Sequence, residues 1–320
     1  MFQIIKYQPE YQKQWDEFVD KSKNATFLFK RDFMEYHADR FEDFSLLVYK
    51  QEKLVGLFPA CIQDGVIYSH LGLSYGGFLV KKNIETSIFI QLVKSVLAYY
   101  HQAGITQMEL KLLPLFYQSQ ISQELDYVLF LLQAQLVRRD SYFAMKSQPY
   151  QPNRNRKRAL RKASEMGIVV QKTNDYTTFW DRILTPNLNH RFGVNPVHTL
   201  EEILHLQRKF PDNIYLYGAF LGQEMQAGAV VFVTQTTAHF QYSSGKEERD
   251  SGALDALFDY IIRAYQHKKY ISFGSSSQRQ GLELNTGLAY WKESFGAQCL
   301  VQSFYQINTA HHLNLNEVLV

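Results

Sequence analysis

Two cysteines in 320 residues, Cys61 and Cys299, are too few and too far apart for a metal-ligand pair or a disulfide framework. Nothing supports a bridge between them, and a reducing setting fits better. The ten histidines show no metal-ligand spacing, and the adjacent His311 and His312 sit in a terminal tail suited to a surface role. Long apolar runs are missing: "YVLFLLQAQLV" (127–137) is too short and too interrupted to span a bilayer. The opening "MFQIIKYQPE" lacks a basic start followed by an apolar run, so no signal peptide is read. There is no P-loop, no G-x-G-x-x-G after a strand, no H-E-x-x-H and no G-x-S-x-G. A net charge of +3 is too small to argue for nucleic acid by itself. The expectation is a soluble, cytoplasmic protein without a membrane span.

What is present is globular composition, with 46% hydrophobic and 20% charged residues. Aromatics reach 15%, enough to fill a large core and to line a cleft. The length exceeds one usual core, so two domains of about 150 residues are expected. The chain also nearly repeats itself. "EYQKQWDEFV" (10–19) and "DYTTFWDRIL" (175–184) share acid-Tyr-x-x-x-Trp-Asp, each after a strand-like run. "SLLVYKQEKLVGLFPACI" parallels "IYLYGAFLGQEMQAGAVVFV", and both read as two strands around a tight polar turn. "ETSIFIQLVKSVLAYYHQAG" and "GALDALFDYIIRAYQHKK" are helix patterns that lead into strands, with Leu254, Leu257, Phe258, Ile261 and Ile262 at helical spacing. Duplication accounts for this order, and the expected domains are 1–148 and 149–320.

The halves meet at "KSQPYQPNRNRKRALRKASEMG", where two prolines mark a break. Six basic residues follow, from Arg154 to Lys162, with no acid between Asp140 and Glu165. Arg154, Arg158 and Arg161 share one helical face, which is either a solvated helix or an anion site for a phosphorylated substrate or RNA.

Chemistry-bearing positions concentrate in the second half. "TAHFQYSSGKEERDSGALDALFDYII" is a strand, a glycine-bearing loop and a helix whose N-cap is expected at Ser251. Free N–H groups at that helix start, with Lys246 and Arg249, are suited to a diphosphate or an oxyanion; a plain capped helix is the alternative. In the first half "YSHLGLSYGGFLV" takes the equivalent place, and its Gly76 and Gly77 allow close backbone approach beside His70 and Tyr75. "TPNLNHRFGVNPVHTLEEILHLQRKFPDN" (185–213) is expected to be a loop with His190 and Arg191 at its polar centre and a new helix starting at Thr199.

The basic helix, "QYSSGKEERDSGALDALFDYII", the strand "ISFGSSS" and "GLAYWKESFGAQ" follow one another in this order. With the duplicated halves, they resemble the FemAB-like branch of the GNAT (N-acyltransferase) superfamily over nearly the whole chain. The resemblance implies an α+β (mixed α/β) fold of two tandem GNAT-like domains, each a mixed, mainly antiparallel sheet flanked by helices. It implies transfer of an acyl or aminoacyl group to an amine without a metal or a tightly bound cofactor. The family's active-site lysine in "fK-x-x-fG" falls on Lys292. Arg249 and Gly252 fit the start of the GNAT donor signature Q/R-x-x-G-x-G/A, but Leu254 stands at its final small position.

On this reading Lys292 stabilises the oxyanion and Tyr242 protonates the leaving group. Ser243, Ser244, Gly245, Lys246, Arg249, Ser251, Gly252, Ser275 and Ser276 are assigned to the donor. His70, Tyr75, Gly76, His190, Arg191 and Asn285 are assigned to an acceptor with a free amine on a sugar, peptide or cell-envelope precursor. Acyl-CoA or a carrier is preferred as donor over aminoacyl-tRNA, because the net charge is modest. A non-catalytic binding protein on the same scaffold is the remaining alternative.

Overall fold

The computed structural model describes residues 2–246 and 251–320. In chain order the strands are β1 (Phe2–Lys6), β2 (Glu42–Asp43), β3 (Leu46–Lys50), β4 (Lys53–Phe58), β5 (Cys61–Gln63), β6 (Val66–Tyr68), β7 (Leu79–Val80), β8 (Gln107–Lys111) and β9 (Gln135–Lys146). There follow β10 (Ile168–Thr173), β11 (Ile214–Leu221), β12 (Glu224–Val233), β13 (Thr237–Gly245), β14 (Tyr270–Ser275), β15 (Ser277–Gln278), β16 (Glu283–Leu284) and β17 (Gln298–Asn308). The helices are α1 (Gln12–Lys21), α2 (Arg31–Met34), α3 (Thr86–Gln102), α4 (Glu124–Leu131) and α5 (Arg154–Glu165). The remaining helices are α6 (Tyr176–Phe179), α7 (Thr185–Phe192), α8 (Leu200–Lys209), α9 (Ala253–Ala264) and α10 (Thr286–Glu293).

Two compact units emerge, residues 1–140 with 301–320, and residues 141–300. The final segment, assigned to the second half from the sequence, belongs to the first unit. There β17 pairs antiparallel with β8, and the Thr309 hydroxyl donates to the Ile105 carbonyl at 2.7 Å. Burial of Ile307 and Leu315 in the first core holds the segment in place.

In the first unit β1-β3-β4-β7 form one antiparallel sheet, and β17-β8-β6-β5-β2 are neighbours in a second. α3 supplies its core with Phe89, Ile90, Leu92, Val93, Val96 and Leu97, the helical-period positions of its sequence. The second unit has the order β10-β11-β12-β13-β14-β9, antiparallel except for the β13–β14 pair. α9 covers that sheet with Leu257, Phe258, Ile261 and Ile262, and Phe258 stacks on Phe240 at 3.9 Å between ring centroids.

The repeat is visible in atomic detail. Trp15 is fully buried and donates its indole N–H to the Phe29 carbonyl at 2.7 Å; Trp180 does the same to the His198 carbonyl at 3.2 Å. In each unit a hairpin (β3–β4, β11–β12) precedes a parallel pair bridged by a long helix, β6 with β8 across α3 and β13 with β14 across α9.

Residues 185–192 differ from expectation: they are helical, because a π-turn over Trp180–Leu184 carries the helix through into α7 with Pro186 in its first turn. Thr199 does start α8, through a capping box with Glu202. At α9 the N-cap is Gly252 rather than Ser251, whose hydroxyl instead accepts the Ala253 N–H at 3.3 Å.

Candidate active site

β13 and β14 run parallel only from Thr237↔Tyr270 to His239↔Ser272. Register shifts follow at once on both outer flanks, between Val230 and Val231 in the β12–β13 pairing and between Ser272 and Gly274 in the β14–β9 pairing. Each shift leaves an extra residue, Gln241 and Phe273, and such bulges bend a strand away from its neighbour. Gly274 takes φ +73, a conformation that glycine adopts without strain. The two strands therefore diverge, with Tyr242–Gly245 on one lip and Gly274–Ser276 on the other.

The equivalent place in the first unit is closed. Ser69 N–H donates to the Glu109 carbonyl at 2.9 Å, Lys111 N–H to the Ser69 hydroxyl at 2.8 Å, and Gly76 N–H to the Lys111 carbonyl at 2.6 Å. A Cβ at Gly76 would lie 1.9 Å from the Ser69 carbonyl oxygen, so this seam depends on glycine.

Lys292 fills the opening in the second unit. Its helix is capped by Asn285, whose side chain accepts the Leu288 N–H at 3.0 Å and whose own N–H donates to the Ser276 carbonyl. Trp291 and Phe295 pack against Phe258 and fix the helix on the core. Lys292 is 3% exposed, and its Nζ donates to the carbonyls of Gly274 (3.0 Å) and Ser275 (2.6 Å). Burial pushes its ammonium down to about 7. His239, also buried, meets the Ser272 hydroxyl at 3.0 Å. Burial first, and then the Lys292 charge, lowers its imidazole to about 4, so it is neutral at physiological pH. Beside the lip the Ser276 hydroxyl is buried with no hydrogen-bond partner among the described residues.

No sequence-family profile matches the chain, and no curated protein matches it in sequence. Solved structures do match. FemX aligns with 98% of this chain and 100% of its own at 11% identity and a TM-score of 0.66. The C-terminal domain of an Agrobacterium fabrum protein described as a putative lysylphosphatidylglycerol synthetase aligns over 96% of this chain and 94% of its own, at 13% identity and a TM-score of 0.58. A tandem GNAT protein from the clavulanic acid biosynthesis pathway covers 97% and 99%, at 10% identity and a TM-score of 0.51. The chain has the FemAB-like GNAT-superfamily fold.

Within this tandem GNAT fold the assigned residues separate. Around the opening lie Lys292, Tyr242, exposed Ser243, half-buried Ser244 and Gly245, Ser275, Ser276 and the cap residue Asn285. The Tyr242 hydroxyl accepts the His198 backbone N–H at 3.1 Å and lies 2.6 Å from His198 Nδ1. Burial pushes the phenol up to about 12. Asn187 ties α7 to the lip, donating to the Ser244 hydroxyl and the Gly245 carbonyl at 2.7 Å each. Ser275 accepts the Ser277 N–H at 3.0 Å, and Lys246 is ion-paired with Glu224. Arg249 lies outside the described residues. Ser251 and Gly252 are buried; Gly252 has φ +70, and a Cβ on it would stand 2.5 Å from the Ala159 carbonyl oxygen. α5 thus packs on the start of α9, where Arg156 also pairs with Asp255. His190 and Arg191 are exposed on the last turn of α7.

The first-unit residues have other surroundings. His70 is buried at φ +70 with its ring 5.4 Å from that of His37, and burial lowers it to about 3. Tyr75 is 2% exposed, with its hydroxyl 2.9 Å from that of Thr26. Gly76 lines a cavity of about 240 Å³ together with Lys23, Leu112, Arg139 and Gln302. Lys23 is paired there with Glu124 at 2.6 Å.

Sequence reading missed His198, His239, Asn187 and Lys23. Only the repeat carried a signal for one of them: Trp180 matches Trp15, and the carbonyl that Trp180 reaches belongs to His198. Among the described residues no group of His, Cys, Asp and Glu is arranged to hold a metal, and no helix is long and apolar enough to cross a membrane.

Proposed function

We propose that this chain is an N-acyltransferase that moves an acyl or aminoacyl group from an activated ester or thioester to an amine. One observation carries the proposal: a buried lysine amine is held by two backbone carbonyls at the point where β13 and β14 diverge. An acid–base group works best with a pKa near the operating pH, and burial brings Lys292 there. In the proposed reaction the acceptor amine attacks the acyl carbonyl carbon and forms the new C–N bond. Neutral Lys292 takes the proton released by the amine and returns it to the departing thiolate or alkoxide as the C–S or C–O bond breaks. Once it has taken that proton, Lys292 carries a third N–H, beyond the two held by the Gly274 and Ser275 carbonyls, for the developing oxyanion. Tyr242 is the second proposed donor to the leaving group, acting with His198 behind it. No covalent enzyme intermediate is needed.

A specific observation favours an aminoacyl ester, such as aminoacyl-tRNA, over acyl-CoA. The start of α9, where a GNAT donor diphosphate is expected, is packed against α5 at Gly252 and carries Asp255 paired with Arg156. Leu254 adds bulk at the position that the signature keeps small. An amine pool is offered with either acetyl-CoA or charged tRNA, and donor discharge and thermal shift are followed. Discharge of one donor, lost in Lys292→Met, is the expected result. Discharge that survives Lys292→Met would overturn the role of the lysine. No discharge of either donor by the native chain would leave the binding-protein alternative.

A further inference from the structure

α5 presents a basic face that the transfer chemistry does not use. Arg154, Lys157, Arg158 and Arg161 are exposed, and none of them forms an ion pair among the described residues. The helix holds one acid, Glu165, at its far end. Beside it the second unit exposes a run of apolar side chains: Leu282 at 85%, Leu284 at 50%, Leu288 at 38% and Tyr290 at 53%. These belong to the β15–β16 hairpin and the outer side of α10. The two surfaces touch, since Asn155 of α5 donates to the Tyr290 hydroxyl at 3.0 Å and Asn153 N–H donates to the Ser294 carbonyl at 3.1 Å.

We propose that this face of the second unit, α5 with the 282–290 segment, docks on an anionic lipid bilayer. Leu282, Leu284 and Leu288 are exposed together beside the basic face, and acyl chains accept such a group of apolar side chains readily. Tyrosine suits the headgroup level, and adjacent arginine and lysine side chains meet anionic headgroups. RNA has equal use for the cations but none for three exposed leucines, so the combination favours lipid. The proposal is independent of the chemistry assigned to Lys292.

The test is cosedimentation of the full chain with vesicles of phosphatidylcholine alone or with roughly 30% phosphatidylglycerol. Binding is expected only to the anionic vesicles, and it weakens as salt rises. Arg158→Glu with Arg161→Glu removes at least about fivefold per position, from the usual contribution of one basic residue near such a surface. Leu282→Ser weakens binding about tenfold while leaving urea unfolding unchanged, because the side chain is solvated in the free protein. Equal binding to both vesicle types, or none to the anionic ones at low salt, overturns the proposal. So does retention of a bulk tRNA mixture without vesicle binding, which would assign the basic face to RNA. Self-association abolished by Leu282→Ser without vesicle binding overturns it in favour of a second copy.

Discussion

Replacing Lys292 by methionine keeps an unbranched chain that matches the lysine stem as far as Cε and removes the amine, which stands 5.5 Å from the centroid of the Phe143 ring. The stability effect follows from protonation. An unfolded lysine titrates near 10.4, whereas the buried one titrates at about 7. Between those values the unfolded chain binds the extra proton, so Lys292 destabilises the fold most below pH 7 and is relieved as pH rises. The full penalty is about 5 kcal/mol, and about 3 kcal/mol of it disappears between pH 6 and pH 9. Methionine has no such term but cannot donate to Gly274 and Ser275, a loss of about 2–3 kcal/mol. The variant is therefore expected to be as stable as the native chain, or more so, at about pH 6. At about pH 9 it falls behind. Urea unfolding at the two pH values, with slopes compared, measures the difference directly. Transfer activity is expected to fall by about 10²–10³ at both. Parallel stabilities at the two pH values would refute the buried, near-neutral amine. Activity within tenfold of native would refute its catalytic role.

Gly252→Ala is expected to cost about 2 kcal/mol or more in urea unfolding, because both φ +70 and the Ala159 carbonyl oppose a Cβ. Gly245→Ala, whose nearest atoms stand at 3.5 Å, serves as the mild control. Ser276→Ala is expected to leave stability unchanged or raised, because its hydroxyl is buried without a partner among the described residues; a drop in transfer rate without a drop in stability would mean that the hydroxyl meets substrate. His70 and His239 titrate at about 3 and about 4 when folded and near 6.5 when unfolded, so the unfolded chain binds more protons in that window. Stability is expected to fall as pH drops from about 6.5 towards 4, and His70→Asn, which tolerates the positive φ, flattens that slope.

The duplicated tryptophans, the paired hairpins and the helices ahead of β8 and β14 were legible because each depends on local periodicity and turn chemistry. The same holds for the Thr199 capping box and for the basic face of α5. Gly296, at φ +99, lies beyond the Ser294 cap of α10 and donates its N–H to the Glu293 carbonyl at 2.8 Å. Asn187 escaped notice because its partners, Ser244 and Gly245, lie almost 60 residues away.

By itself the sequence determined the repeated strand–helix plan, while Lys292 stood out only through the resemblance of "WKESFG" to the family segment "fK-x-x-fG". The tertiary structure decided the lysine's chemistry. In an isolated helix its amine is solvated and fully charged. Here the bulges at Gln241 and Phe273 separate β13 from β14, and the bared carbonyls of Gly274 and Ser275 receive the amine away from water. Whether the gap between such strands stays open is also a tertiary matter. In the first unit Ser69 and Gly76 extend the β6–β8 pairing to Leu112, and the same plan yields a closed seam. Desolvation and long-range pairing decide such outcomes, and neither is written in the spacing of residues along the chain.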